Sequence, residues 1–228
     1  MTRIAIIDRA DMNAEQARVY DTAKQTSGIV GGPYHAYIRL PKLFEASQNM
    51  RATLASGPLS RREQQIVNLA VARHWNARYP WYAQARNSLS IGIEQAIIDA
   101  INARKTPNLA DARERTCFAV ASEILANKGL REASYAAAEK TLGLEHLVAL
   151  VATVGSFSMT CLTAATFWRS IPAWRSGSVS TCACDGFRSS CESKARASAA
   201  FIPNTKSNTP TWTPGAGQNR AVCGSAGR

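Results

Sequence analysis

No stretch of this chain alternates apolar and polar residues for long enough to argue for a strand, which excludes a sheet-based fold. Aromatic residues are scarce, at 7% of 228 positions, so any crowd of them stands out. No basic N-terminal segment leads into an apolar run and a cleavage site, because MTRIAIIDRADMN reaches Asp8 too soon; the expected location is the cytoplasm. The six cysteines make no disulfide framework. Cys117 and Cys161 stand alone inside helical patterns and read as small buried apolar residues, while Cys182, Cys184, Cys191 and Cys223 lie near the C-terminus. The Cys182-x-Cys184 pair with Cys191 has no histidine after it and fits no zinc spacing. Neither a metal nor a cofactor is expected.

Acid is short relative to base, 16 residues against 27, for a net charge of +11. Residues 1–167 hold 19 basic and 14 acidic side chains, and residues 168–228 hold 8 and 2. More than half of the surplus therefore sits in a C-terminal stretch without a recognisable motif, and nucleic acid is not an expected partner. Residues 168–228 contain no leucine and only four aliphatic β-branched residues, Ile171, Val179, Ile202 and Val222. Such a tail cannot bury enough surface to offset its ordering entropy, so it reads as disordered, next to one helical domain over 1–167. Its composition resembles a gene read out of frame. The same tail in an uninterrupted frame in close relatives would overturn that reading.

Leu147 to Trp168 carries no charge. Its many hydroxyls, from Thr153 to Thr166, and Gly155 favour a central helix buried in a bundle or subunit interface over a membrane span. Elsewhere the apolar spacing is helical throughout. Asn13 is placed to cap a helix to about Thr26, Pro41 to start one ending near Gly57-Pro58, and Ser60 with Glu63 to form a capping box. Glu94 to Arg104 forms the next, with Ile97, Ile98 and Ile101 inward, and Asp111 opens another that stops at Lys128-Gly129. Arg131 to Leu142 and a long helix from about Glu145 complete an all-α bundle of about eight helices with short links.

Chemistry concentrates in Leu59–Leu89. Ile66, Ala70 and His74 fall at i, i+4 and i+8, and a second helix opens at Pro80. His74 is the only histidine on these two helices, and it reads as a catalytic acid–base group or as a hydrogen-bonded core residue. Arg73 and Arg78 read as forks for a substrate carboxylate or as solvated or interface charges. Trp75, Tyr79, Trp81 and Tyr82 wall a flat-ring pocket or simply pack. Tyr34 and Tyr37 follow a double glycine whose freedom at positive φ lets the backbone turn closely around something. His35 is loop-borne, and His146 near a helix start looks structural.

The runs VGGPYHAYIRLPKL at 30–43 and LSRREQQIVNLAVARHWNARYPWYAQARNSLSIGI at 59–93, with the helices through about Phe167, resemble the carboxymuconolactone decarboxylase and alkylhydroperoxidase D-like family. The resemblance implies an all-α fold that assembles into dimers, trimers or hexamers, with a pocket lined by the two organising helices. Peroxide-reducing members use a Cys-x-x-Cys pair, a later histidine and a glutamate on the preceding helix. Those positions hold Ala77, Pro80, Gln84 and Gln65 here. Peroxide reduction by that mechanism needs a thiolate and is excluded. Decarboxylase-like members commonly carry Glu where Pro80 stands and His where Gln84 stands, and both are absent. The resemblance then implies a cofactor-free lyase on a small carboxylated ring or lactone of aromatic catabolism. His74 and Tyr79 are its candidate catalytic groups, with Arg73, Arg78, Trp81, Tyr82, Gln84, Tyr34 and Tyr37 around the substrate. The alternative is an inactive oligomeric relative that binds a small apolar ligand.

Overall fold

A computed structural model of the chain describes residues 2–27 and 30–168. These belong to the first of two units, Met1–Trp174; the second, Arg175–Arg228, and the expectations placed on the tail beyond Trp168 lie outside the described residues. Trp168 itself, counted with the tail on composition, forms an isolated antiparallel bridge with Thr2, and the Arg3 amide donates to the Phe167 carbonyl at 2.7 Å.

A short 3-10 turn, Arg9–Asp11, precedes nine α-helices among the described residues. They are α1 Ala14–Ser27, α2 Tyr34–Tyr37, α3 Pro41–Ala55, α4 Arg61–His74, α5 Arg78–Ser90, α6 Gln95–Asn102, α7 Ala112–Asn127, α8 Glu132–Leu142 and α9 Leu144–Phe167. The extra helix relative to the periodicity is the four-residue α2 inside the double-glycine loop.

The starts follow the side chains. Asn13 Oδ1 accepts from the Gln16 amide at 2.9 Å while Gln16 Oε1 accepts from the Asn13 amide at 3.1 Å, a reciprocal cap on α1. Ser60 and Glu63 do the same for α4, and Asp111 accepts from Arg113 N at 2.6 Å to open α7. α5 begins at Arg78, two residues before Pro80. The first i to i−4 bond of this helix runs from Trp81 N to Ala77 O, so a proline anywhere earlier in the turn forfeits nothing.

The helix ends at this side of the bundle share one device. After α4 the Ala77 amide reaches back to Ala72 O and Asn76 N to Arg73 O, with Asn76 at φ +49°. After α6 the Lys105 amide reaches Ala100 O and Arg104 N reaches Ile101 O, with Arg104 at φ +58°. Both are Schellman endings, with a non-glycine residue in the left-handed position that usually takes glycine.

The central helix is α4, whose Ile66, Val67, Leu69, Val71 and Ala72 are fully buried as it packs on α5, α6, α7 and α9. Each of the isoleucine, valine and leucine side chains among them contributes about 1.5–3 kcal/mol by burial. α9, expected to be a central helix buried in the bundle or in a subunit interface, buries Leu147, Leu150, Val154, Cys161 and Ala164 within the chain and leaves Leu144, Val148, Val151 and Leu162 exposed. It is long and apolar enough to cross a membrane by length and composition, at a mean hydropathy of 1.8. Absence of charge marked its two-sided apolarity, not its burial. A smaller second core gathers Val19, Ala23, Tyr37, Ile38 and Phe44 from α1, α2, α3 and the link between the last two.

Candidate functional site

Two places on opposite sides of α4 carry polar chemistry. The first is the α4–α5 corner. Gln65 Nε2 donates to Gln84 Oε1 at 2.6 Å and to the Gln84 carbonyl at 3.1 Å. The two relay positions are thus in contact, but they hold amides that cannot titrate. Gly32, at φ +58°, lies against the Tyr79 ring, into which any Cβ there would collide, so the double glycine wraps around Tyr79. Burial raises the phenols of Tyr79 and Tyr34, leaving them neutral donors near pH 7.

The other aromatic candidates divide between packing and exposure. Tyr37 is buried and its hydroxyl pairs with Thr163 Oγ1 at 2.9 Å. Tyr34 stands edge-on to Tyr37 and Phe44, with ring centroids 6.1 and 5.7 Å apart. Trp81 is in the main core, Tyr82 is exposed, and Arg78 occupies the first position of α5. Trp75 anchors α5's approach by donating from Nε1 to Ser158 Oγ at 3.0 Å.

The second place is a cleft of about 260 Å³ between the C-terminal ends of α4 and α6 and the side of α7. Ala70, Ile101, Phe118 and Leu125 give it an apolar floor. Arg73, His74, Arg104 and Lys105 line it, with the hydroxyls of Thr106 and Ser122 and no carboxylate. Arg73 Nε donates to Asn102 O at 2.6 Å, and Arg73 Nη1 and Arg104 Nη2 both donate to Asn76 Oδ1, at 2.5 and 3.0 Å. Burial first, then Lys128 and Arg104, holds His74 below its ordinary value, so its imidazole is neutral at pH 7.

The structure therefore brings His74 and Arg73 together, and separates them from Tyr34, Tyr37, Tyr79, Trp81, Tyr82 and Gln84, none of which lines the cleft. The reason is helical geometry. Gln65 and His74 are nine residues apart, two and a half turns, which places them on opposite faces of α4. Asn76, Arg104, Lys105 and Phe118 had not been singled out from the sequence as site residues. The available signal was a pair of helix endings, each with a polar residue in the position a glycine usually fills.

Among the described residues the cysteines are Cys117 and Cys161; both are buried, and burial pushes both thiols up to about 12, so neither supplies a thiolate at neutral pH.

Among solved structures, the alkylhydroperoxidase AhpD core of an uncharacterized peroxidase-related protein from Ralstonia eutropha is similar over 73% of this chain and 90% of its own, at 16% identity and a TM-score of 0.62. An uncharacterized peroxidase-related protein from a Silicibacter species is similar over 71% of this chain and 87% of its own, at 18% identity and a TM-score of 0.60. No family model and no curated protein matches the sequence. The chain has the AhpD-like helical fold, and at these identities the likeness extends to the fold alone.

Proposed function

We propose that the chain is a cofactor-free lyase of decarboxylase type, acting on a small carboxylated ring or lactone, with its chemistry at the His74 cleft and not at the α4–α5 corner. One observation carries this reading: His74 and Arg73 line the same cleft over an apolar floor. The ring rests on Phe118 and Leu125 while the free Nη donors of Arg73 orient the carboxylate. Breaking the bond to the carboxylate carbon releases carbon dioxide and leaves the electron pair in the conjugated carbonyl as an enolate. The surrounding cations stabilise that charge. An imidazolium at His74 then delivers the proton to carbon. In the free protein His74 is neutral at pH 7; a bound anion opposes the cations that depress it and restores its proton.

The test is a panel of muconolactones and substituted benzoates, followed by ultraviolet spectra and carbon dioxide release. Turnover that His74→Ala abolishes supports the reading, and turnover that survives it unchanged overturns it. A second reading is favoured by the Gln65–Gln84 bond, in which the relay positions satisfy each other. On that reading the protein is a silent relative that binds a small ligand without turning it over, and binding with no product from any panel member would establish it.

The exposed apolar face of α9 takes a second copy of the chain, giving a homo-oligomer. Val148, 60% exposed, is its centre. Val148→Asp lowers the mass in light scattering to that of one chain; an unchanged mass would remove α9 from the interface.

A further inference from the structure

Among the described residues, five arginines meet carboxylates: Arg9 with Asp21, Arg18 with Glu45, Arg62 with Glu94 and Glu114, Arg113 with Glu63, and Arg131 with Glu123. Arg39, Arg51 and Arg115 instead donate to neutral oxygens, each by itself, and the cleft differs from both patterns in gathering several cations. Arg73 and Arg104 spend their donors on neutral oxygens, the Asn102 carbonyl and the shared Asn76 amide, and none of the residues lining the cleft is acidic. Two guanidiniums on one amide oxygen are held close against their mutual repulsion, with Lys105 beside them.

The backbone is shaped to the same end. Three non-glycine residues among those described have positive φ, Asn76, Arg104 and Lys128. Asn76 and Arg104 end the helices that form the cleft's rim, and Lys128 ends α7, which supplies Phe118, Ser122 and Leu125. Glycine would relieve the first two positions but would remove the shared acceptor or a cation. Asparagine tolerates that conformation, whereas Arg104 carries a backbone cost there while its guanidinium lines the cleft.

We propose that this cleft selects small dianions over monoanions, with Arg104 and Lys105 forming a second anionic subsite beside Arg73 and with Asn76 as the positioning residue that clamps both guanidiniums. The charge resides on two carboxylates or on one phosphate, attached to a body of about one ring. An apolar cavity of about 150 Å³ accepts benzene, so 260 Å³ leaves room for a ring with ionised substituents. The inference rests on the cleft being the ligand site, but not on its performing any reaction.

Calorimetry on the full chain at pH 7.5 and low salt, comparing terephthalate and phenyl phosphate with 4-methylbenzoate, tests it. At least one dianion binds tenfold or more tighter than 4-methylbenzoate. Terephthalate alone points to dicarboxylates, phenyl phosphate alone to phosphate esters, and both to charge itself. Arg104→Gly removes the preference to within threefold while raising Tm, and Asn76→Gly weakens it with the fold intact. Equal binding of dianions and monoanion, no binding of any probe, or a preference that survives Arg104→Gly overturns the proposal. Selective binding together with no carbon dioxide release from any carboxylated member of the panel sinks the lyase reading and leaves this one standing.

Discussion

The two sides of α4 use the same backbone conformation in opposite ways. At the corner the positive-φ residue facing the site is Gly32, and its missing side chain is filled by the Tyr79 ring. At the cleft the positive-φ residues are Asn76 and Arg104; the Arg104 side chain lines the cleft, and the Asn76 amide accepts from it. The corner joins Gln65 and Gln84, two amides that cannot titrate. The cleft gathers titratable and charged groups that no carboxylate neutralises. The charged candidates and most of the aromatic candidates thus lie on different faces of one helix.

The largest expected effect separates the faces by rate. On whichever panel member is turned over, His74→Ala lowers kcat by about 10²–10⁴-fold, the range for loss of a positioned proton donor. Gln65→Ala and Gln84→Ala change it less than threefold. Comparable losses on both faces, read in initial-rate assays, would dissolve the distinction.

Stability gives the next contrast, with opposite signs. Gly32→Ala adds a Cβ that collides with Tyr79 at a backbone angle alanine resists, and destabilises by about 1–3 kcal/mol. Arg104→Gly relieves the left-handed cost and stabilises by about 0.5–1 kcal/mol, after the extra freedom glycine gives the unfolded chain. Urea unfolding midpoints at fixed pH measure both. A stabilising Gly32→Ala would mean that the loop does not wrap the ring.

The smallest effect is a pH dependence confined to the cleft. His74 is held low by burial and by Lys128 and Arg104, so the folded protein binds fewer protons than the unfolded chain around its ordinary value. Its contribution to stability is therefore present above about pH 6.5 and declines as pH falls below it. His35, lowered by burial and by Arg39, adds a slope of the same sign. Anion affinity runs the other way and tightens as pH falls, because a protonated His74 joins Arg73, Arg104 and Lys105. His74→Gln flattens the affinity profile and part of the stability profile.

Much of the fold is legible in the sequence because its helix starts are written locally. Asn13 with Gln16, Ser60 with Glu63, Pro41 and Asp111 each mark a boundary that side-chain hydrogen bonds or proline geometry enforce. The burial of α9 was not legible in that way, since hydropathy does not distinguish a face covered by the same chain from one left open. The candidate site was half legible. That His74 and Arg73 lie together follows from their adjacency in sequence. Their separation from the aromatic candidates follows from helical phase, which the nine-residue spacing from Gln65 already contained. Arg104, Lys105 and Asn76 needed the structure, because their meeting depends on two helix endings that are 28 residues apart in sequence, Asn76 to Arg104.

The most direct test of which face takes the ligand is an NMR titration of the full chain with terephthalate, reading His74 on one side and Trp81 and Tyr79 on the other. With the ligand in the cleft, the His74 ring signals move and its pKa rises on binding, while the Trp81 indole and the Tyr79 ring stay in place. Movement of Tyr79 and Trp81 with an unperturbed His74 would contradict it and return the site to the corner.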